Sequence, residues 1–280
     1  MKRRLFTFGC SFTNYFWPTW NSFLALDDRW DEYENWALKG IGNQAIFERL
    51  TECIATKNLT SSDTVIVQWS GVYRHDILHS GKGWANTGGL GHSKLFDSSW
   101  FDKFFDQEAY NFHTLTYIVA AQILLEKTNC IWRMTSMDDF KFFDTTRFIE
   151  TGAADTALMD MNPSWRNKFE HIFSKNKDNW IEHIAYDDSA TSSNLHKWYD
   201  ESVDKEPWPD WHPTPLQSWS WARNSLLPSL GLKETELQQE TVEEVEGFLK
   251  NLNKLDTAFS KMIEKFNWFN NQQKPQGYPT

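Results

Sequence analysis

Apolar and polar positions along this chain fall into short blocks with two different periods. Leu5-Phe6-Thr7-Phe8 is an apolar run closed by Gly9, which predicts a buried first strand entering a tight turn. From Asn14 to Glu34, Trp, Asp and Pro are mixed without a period, predicting a loop or short helices. Ala45, Ile46, Leu50 and Cys53 then recur at helical spacing within Asn43 to Cys53. Thr64-Val65-Ile66-Val67-Gln68 is β-branched and bounded by Ser61-Ser62-Asp63, the pattern of a buried strand. Gln107 to Lys127 predicts a helix, and Cys130 to Met134 a further strand. Strand, helix, strand, helix, strand in this order implies an α/β fold with a parallel sheet.

Three stretches depart from that alternation. Residues 79–106 carry five glycines among Trp84, Phe96, Trp100, Phe101, Phe104 and Phe105, and read as an ordered insertion: a candidate lid, or a surface loop with its own small cluster. Residues 138–205 are irregular and polar. Near the C-terminus Val245, Phe248, Leu252, Leu255, Phe259, Met262 and Phe266 are spaced by threes and fours, a heptad seam of about three repeats. Acidic residues crowd its first half and lysines its second, as the helix dipole favours. The expectation is one long helix within residues 231–280, which either packs on its own domain or pairs with a second copy in a homo-oligomer.

Composition narrows the class. The formal charge of −10 and a pI near 5.3 argue against a nucleic-acid partner. No run approaches the roughly 20 apolar residues of a membrane-spanning helix. The opening Met1-Lys2-Arg3-Arg4 is followed by too short an apolar stretch for a signal peptide. The expected location is the cytoplasm, or a virion if the chain is phage-encoded. Cys10, Cys53 and Cys130 are isolated, and neither they nor His75, His79, His92, His113, His171, His183 and His196 show metal-ligand spacing. No metal and no cofactor is expected.

Chemistry concentrates in three blocks. Phe8-Gly9-Cys10-Ser11-Phe12-Thr13 sets a serine in a glycine turn just after a strand, at the sheet edge where open α/β folds bind ligands. Asn35-Trp36-Ala37-Leu38-Lys39-Gly40-Ile41-Gly42-Asn43 supplies glycines that let the backbone approach a ligand; Asn43 is either a ligand contact or a plain helix cap. Pro209-Asp210-Trp211-His212-Pro213 holds an imidazole between prolines, with a carboxylate two residues before it. A serine is a poor nucleophile until such a base takes its proton.

In this order, the three blocks resemble the SGNH (GDSL-type) hydrolase superfamily over residues 1–230. The resemblance implies a three-layer, flavodoxin-like fold around a central parallel sheet, with the C-terminal helix appended. It implies a serine ester hydrolase in which Ser11 is the nucleophile, His212 the general base and Asp210 the residue that orients it. Ser11 and Gly40 would donate backbone N–H groups to the oxyanion. Three features depart from the family pattern. Cys10 stands where Asp is frequent, and Asp210 and His212 are one residue closer than is common. Gln68-Trp69-Ser70-Gly71-Val72-Tyr73-Arg74 replaces the usual Gly-x-Asn-Asp, so either Ser70 donates in place of the Asn, or Arg74 reaches in, or that donor is missing. Asn43, Trp69, Arg74 and Trp211 are the candidate substrate contacts. The family includes carbohydrate O-acetyl esterases, and the 16 Trp of this chain suit stacking on sugar rings as well as burial. The expected partner is an ester substrate, an acylated glycan among the candidates; the alternative is a catalytically weak glycan-binding or structural module of a larger assembly.

Overall fold

The computed structural model describes residues 2–90, 95–137, 175–181, 212–249, 251 and 258–272. Its centre is a parallel sheet built from β1 (Arg4–Phe8), β2 (Glu32–Asn35), β3 (Thr64–Trp69) and β6 (Ile131–Ser136), in the order β2-β1-β3-β6. The register pairs Leu5 with Tyr33 on one side and Leu5 with Thr64 on the other, and β6 continues from β3 through Val65 with Trp132. All six residues of β3 are buried, as a central parallel strand covered on both faces requires.

Alternation along the strands sorts side chains between two apolar layers. Phe6, Phe8, Val65, Val67, Trp132 and Met134 face α2 (Asn43–Lys57) and α4 (Gln107–Glu126), meeting Ile46, Leu50, Leu115 and Ile118. Leu5 and Ile66 face the other layer, with α1 (Trp20–Leu24), α5 (Pro215–Trp221) and α6 (Glu236–Leu249). Helix α5 runs on through a π-helical turn, Ala222–Leu226, into a last turn at Leu227–Ser229. Helices on both faces of a parallel sheet make this the expected three-layer α/β architecture.

The C-terminal segment differs from the expected single helix. Helix α6 ends at Leu249, Asn251 sits in a turn with its N–H on the Phe248 carbonyl, and α7 (Ala258–Lys265) and α8 (Asn267–Gln272) follow. Of the heptad seam, Val245, Met262 and Phe266 are buried in the same cluster as Trp20, Phe23 and Trp219, and Phe248 packs against it. The apolar stripe thus covers the chain's own sheet; Leu252 and Leu255 lie outside the described residues. The period was real, but it reflects helices lying on one core rather than one uninterrupted rod.

Strand β2, which sequence reasoning did not anticipate, is polar because it is the sheet's edge. The described part of residues 78–106 holds a hairpin of β4 (Leu78–His79) and β5 (Gly83–Trp84), and α3 (Ser98–Phe104). The Gly88 N–H donates to the Gly40 carbonyl at 3.0 Å, so this insertion lies against the second motif block. Most of 138–205 lies outside the described residues.

Among the described residues no helix is long and apolar enough to cross a membrane, and no group of three or more His, Cys, Asp or Glu could hold a metal ion. Cys10, Cys53 and Cys130 are free and buried, and burial pushes the Cys53 thiol far above its ordinary range.

Candidate active site

Chain order reverses between β1 and β3: the connection from β1 goes to one neighbour, β2, and the next strand lies on the other side. That is a topological switch point, and the crevice beyond its carboxyl ends is where open α/β sheets bind ligands. Ser11 leaves β1, the Asn35–Asn43 block leaves β2, and Ser70 leaves β3, all at this edge.

The first turn is built around Gly9. A Cβ there would lie 2.2 Å from Thr13 Oγ1 and 3.2 Å from the Gln68 carbonyl oxygen, so only glycine fits. The N–H groups of Thr13 and Asn14 both bond the Cys10 carbonyl at 3.0 Å, folding the chain back over Ser11. Thr13 Oγ1 bonds Gln68 Oε1 at 2.5 Å and fixes this turn to β3. Ser11 is 6% exposed, and among the described residues neither its N–H nor its Oγ has a hydrogen-bond partner.

The second block is tied to the first. Leu38 N–H donates to the Gly9 carbonyl at 3.1 Å, and Asn14 Nδ2 to the Ala37 carbonyl at 2.9 Å. Gly40 has φ +72°, a left-handed conformation that glycine adopts without strain. Its carbonyl accepts from Gly88, while its N–H has no acceptor among the described residues.

His212 arrives from the far end of the chain. Its ring stacks on Tyr15 with centroids 3.8 Å apart and planes 17° apart, and lies 5.4 Å from the Phe12 ring. Trp17 Nε1 donates to the Pro213 carbonyl at 2.9 Å, and the Trp20 N–H to Ser218 Oγ at 2.8 Å. Thr214 caps α5 in a capping box with Gln217, and Pro215 opens the helix. The structure therefore brings His212 to the loop that carries Ser11, without a hydrogen bond between the two side chains. Asp210 and Trp211 lie outside the described residues.

Two expected substrate contacts are placed elsewhere. The whole Trp69 side chain is buried with Val65 and Val67, and offers no face for stacking. Period-two alternation along β3 turns it inward. Asn43 is buried, with Oδ1 accepting the Ser70 N–H at 2.8 Å and Nδ2 donating to the Ser70 carbonyl at 3.0 Å and to Thr114 Oγ1 at 3.2 Å. Both amide atoms lock α2 to the end of β3 rather than meeting a ligand. The clasp also occupies the backbone of Ser70, whose Oγ rests against Met137 Sδ at 3.6 Å. Arg74 Nη1 donates to the Ile41 carbonyl at 3.1 Å, and its Nη2 lies 3.8 Å from the same Met137 sulfur.

Sequence reasoning missed three residues here. Asp76 accepts the Gly42 N–H at 2.5 Å and the Ala45 N–H at 3.0 Å, capping α2 from a distant segment. Burial pushes its carboxyl above the ordinary value, although these two bonds pull it down. Lys39 lies with Nζ 3.5 Å from the Phe16 ring centre, and burial lowers it to about 8. Tyr15 supplies the platform for His212. Asp76 and Tyr15 carry no local signal, because their partners come from other segments. For Lys39, its place inside the glycine block was the available hint.

No family model and no curated protein sequence matches the chain. Among solved structures, it is similar to protein YxiM of Bacillus subtilis, with TM-score 0.46 and 14% identity over 82% of this chain and 57% of that one. It is also similar to the psychrotrophic esterase EstA of a Pseudoalteromonas species, in a form inhibited by monoethylphosphonate, with TM-score 0.41 and 10% identity over 82% of this chain and 100% of that one. The chain thus spans little more than half the length of YxiM.

Proposed function

We propose that this protein is an ester hydrolase that acts through Ser11, with His212 as its base and Asp210 as the group that orients the imidazole. The observation that carries the reading is the seat of His212 on the rings of Tyr15 and Phe12, within the turn that presents Ser11. In the proposed reaction His212 takes the Oγ proton as Oγ bonds the ester carbonyl carbon, and the carbonyl electron pair moves onto oxygen. The N–H groups of Ser11 and Gly40, which have no acceptor among the described residues, meet that oxyanion. Collapse breaks the bond to the alcohol, which leaves with the proton from His212. Water, deprotonated by His212, then releases the acid and restores Ser11.

The open Ser11 Oγ fits this scheme, since catalytic hydrogen bonds are often long in a free enzyme and tighten with substrate. It equally favours a second reading, a binding module on a hydrolase-like fold in which the serine is never activated. Fluorophosphonate labelling of wild type, Ser11→Ala and His212→Ala, with p-nitrophenyl acetate turnover alongside, separates the two. Labelling that requires both residues supports the hydrolase, and a folded wild type that stays unlabelled rejects it. Within the class, an O-acetylated carbohydrate is the substrate to try first. With Trp69 buried, half-buried Phe16 is the aromatic ring beside the Ser11 turn that the described residues offer to a sugar, and acetate release from an acetylated polysaccharide tests this substrate.

A further inference from the structure

We propose that Arg74 is a catalytic residue of this site, its guanidinium donating through Nη2 to the oxyanion formed at Ser11. The inference rests on the hydrolase reading above. It starts from what the end of β3 cannot supply. Ser70 stands at the carboxyl end of that strand, beside the Ser11 turn, yet its N–H is held by Asn43 Oδ1 and its carbonyl by Asn43 Nδ2. The backbone donor of Ser70 itself is therefore occupied. Its hydroxyl is a rotor resting on a thioether.

Arg74, four residues later, returns to the same place. One side of its fork is anchored: Nη1 donates to the carbonyl of Ile41, the residue after Gly40. Its stem packs directly on Gly42, where an added Cβ would lie 2.7 Å from the Arg74 Cβ. The other side of the fork is not satisfied in kind. Among the described residues the hydrogen-bond partner of Nη2 is the Met137 sulfur at 3.8 Å, a weak acceptor for a cationic donor, while the Asp76 carboxylate acts on the guanidinium through its charge. That one sulfur also touches Cys10 Sγ at 3.8 Å and Ser70 Oγ at 3.6 Å. Met137 thus marks where the side chains at the ends of β1, β3 and β6 converge, and Cys10 is the chain neighbour of Ser11.

A donor held this way suits a charge that exists only during the reaction. Facing a thioether or a neutral ester carbonyl, Nη2 gains little. Facing an anionic oxygen, the same N–H makes a charge-assisted bond roughly twice as strong as a neutral one. The interaction is therefore realised in the transition state and not in the ground state, which is the condition for raising kcat. The anchored Nη1 means that no side-chain ordering is needed at that moment.

The test compares wild type with Arg74→Met and Arg74→Gln in p-nitrophenyl acetate turnover and fluorophosphonate labelling, with near-ultraviolet circular dichroism to establish folding. Arg74→Met should lower kcat about 100-fold with KM within about 3-fold of wild type. Arg74→Gln, which keeps a neutral donor toward Ile41, should lose nearly as much, because the charge is missing. Added guanidinium ion should restore part of the Arg74→Met turnover. A brace that acts only through the Ile41 bond would instead show full turnover in Arg74→Gln. Turnover within about 3-fold of wild type in either folded variant, with Ser11-dependent labelling intact, overturns the proposal and leaves the hydrolase reading standing. Loss of folding in both variants also overturns it, since Arg74 would then be a structural brace. A wild type that neither labels nor turns over removes the hydrolase reading and this proposal with it.

Discussion

Asp76 offers the most direct test of how the site is held. Its carboxylate is the only acceptor that the described residues supply to the N–H groups of Gly42 and Ala45 at the start of α2. In Asp76→Ala both donors lose a charged acceptor in a half-buried place beside Arg74. Hydrogen bonds to a charged group contribute about 1.5–3 kcal/mol each, and a negative charge at a helix N-terminus adds about 0.3–1 kcal/mol. Against this stands the desolvation of the carboxylate, large enough to hold its pKa above the usual value. The expected net loss is about 2 kcal/mol, within the range for deleting a helix cap. Asp76→Asn keeps one acceptor and no charge, and should lose about half as much. The sign of the pH effect follows from the raised pKa. The protonated form is favoured in the fold, so this group's contribution is fully present below the ordinary carboxylate range and declines as pH rises through the folded value. Wild type should therefore exceed Asp76→Asn in stability by more at pH 4 than at pH 7. Urea unfolding of the three proteins at both pH values provides the measurement. A loss below about 0.5 kcal/mol in Asp76→Ala, or an Asn variant as damaged as the Ala variant, would refute the reasoning.

Other perturbations probe separate parts of the molecule. Asp63, fully buried at the amino end of β3, accepts Arg4 Nε at 2.8 Å, Arg4 Nη2 at 2.7 Å and the Thr60 N–H at 2.6 Å. Asp63→Asn should cost about 3–5 kcal/mol in urea unfolding, the range for breaking a buried pair from one side. Burial raises the Asp63 pKa, but the bonds from Arg4 and Thr60 outweigh it and hold the carboxyl below its ordinary value. Its contribution is thus present above about pH 4 and lost on further acidification, so the Asn variant should show a flatter acid limb. Tyr15→Ala removes the surface under His212; a stacked pair contributes about 0.5–1.5 kcal/mol, so p-nitrophenyl acetate turnover should fall by up to about 10-fold, and less in Tyr15→Phe. Lys39, lowered to about 8 by burial, disfavours its ammonium in the fold, so stability should rise with pH between about 8 and 10. Thermal unfolding of Lys39→Met across that range should lack the rise.

How far the fold was legible depends on what each element needed from elsewhere. β3 was readable because a strand covered on both faces must be apolar, and Val65-Ile66-Val67 has no other use; β1 and β6 were readable from their short apolar runs, although Ile131 and Arg133 of β6 are not fully buried. α2 and α4 were readable because each buries one continuous face. β2 was not: Glu32-Tyr33-Glu34-Asn35 is half exposed at the sheet's edge, and its strand conformation comes from pairing with β1. The glycine and proline punctuation located the Ser11, Gly40 and His212 blocks correctly as loops. What those loops touch is tertiary information, and neither the Tyr15 platform nor the Asp76 cap has a local pattern. Trp69 was the avoidable error, since its step of two from Val67 already assigned it to a covered face.

The C-terminal helices are better understood as the scaffold that seats His212 than as an appendage. His212 is followed by Pro213, whose carbonyl is held by Trp17, and by Thr214, which caps α5. The Leu216 N–H donates to Glu246 of α6 at 2.8 Å, and Gln238 of the same helix donates to the Phe23 carbonyl at 3.1 Å. α6 in turn is fixed by Val242 and Val245, which share a cluster with Trp20, Phe23 and Phe269. The turn bearing Ser11 is hydrogen-bonded to β3 through Thr13 and packs Cys10 and Phe12 into this second layer, and His212 is positioned through the same layer. Loosening α6 would therefore loosen the seat of the imidazole, which makes the packing of the far helices a condition for the chemistry proposed at Ser11.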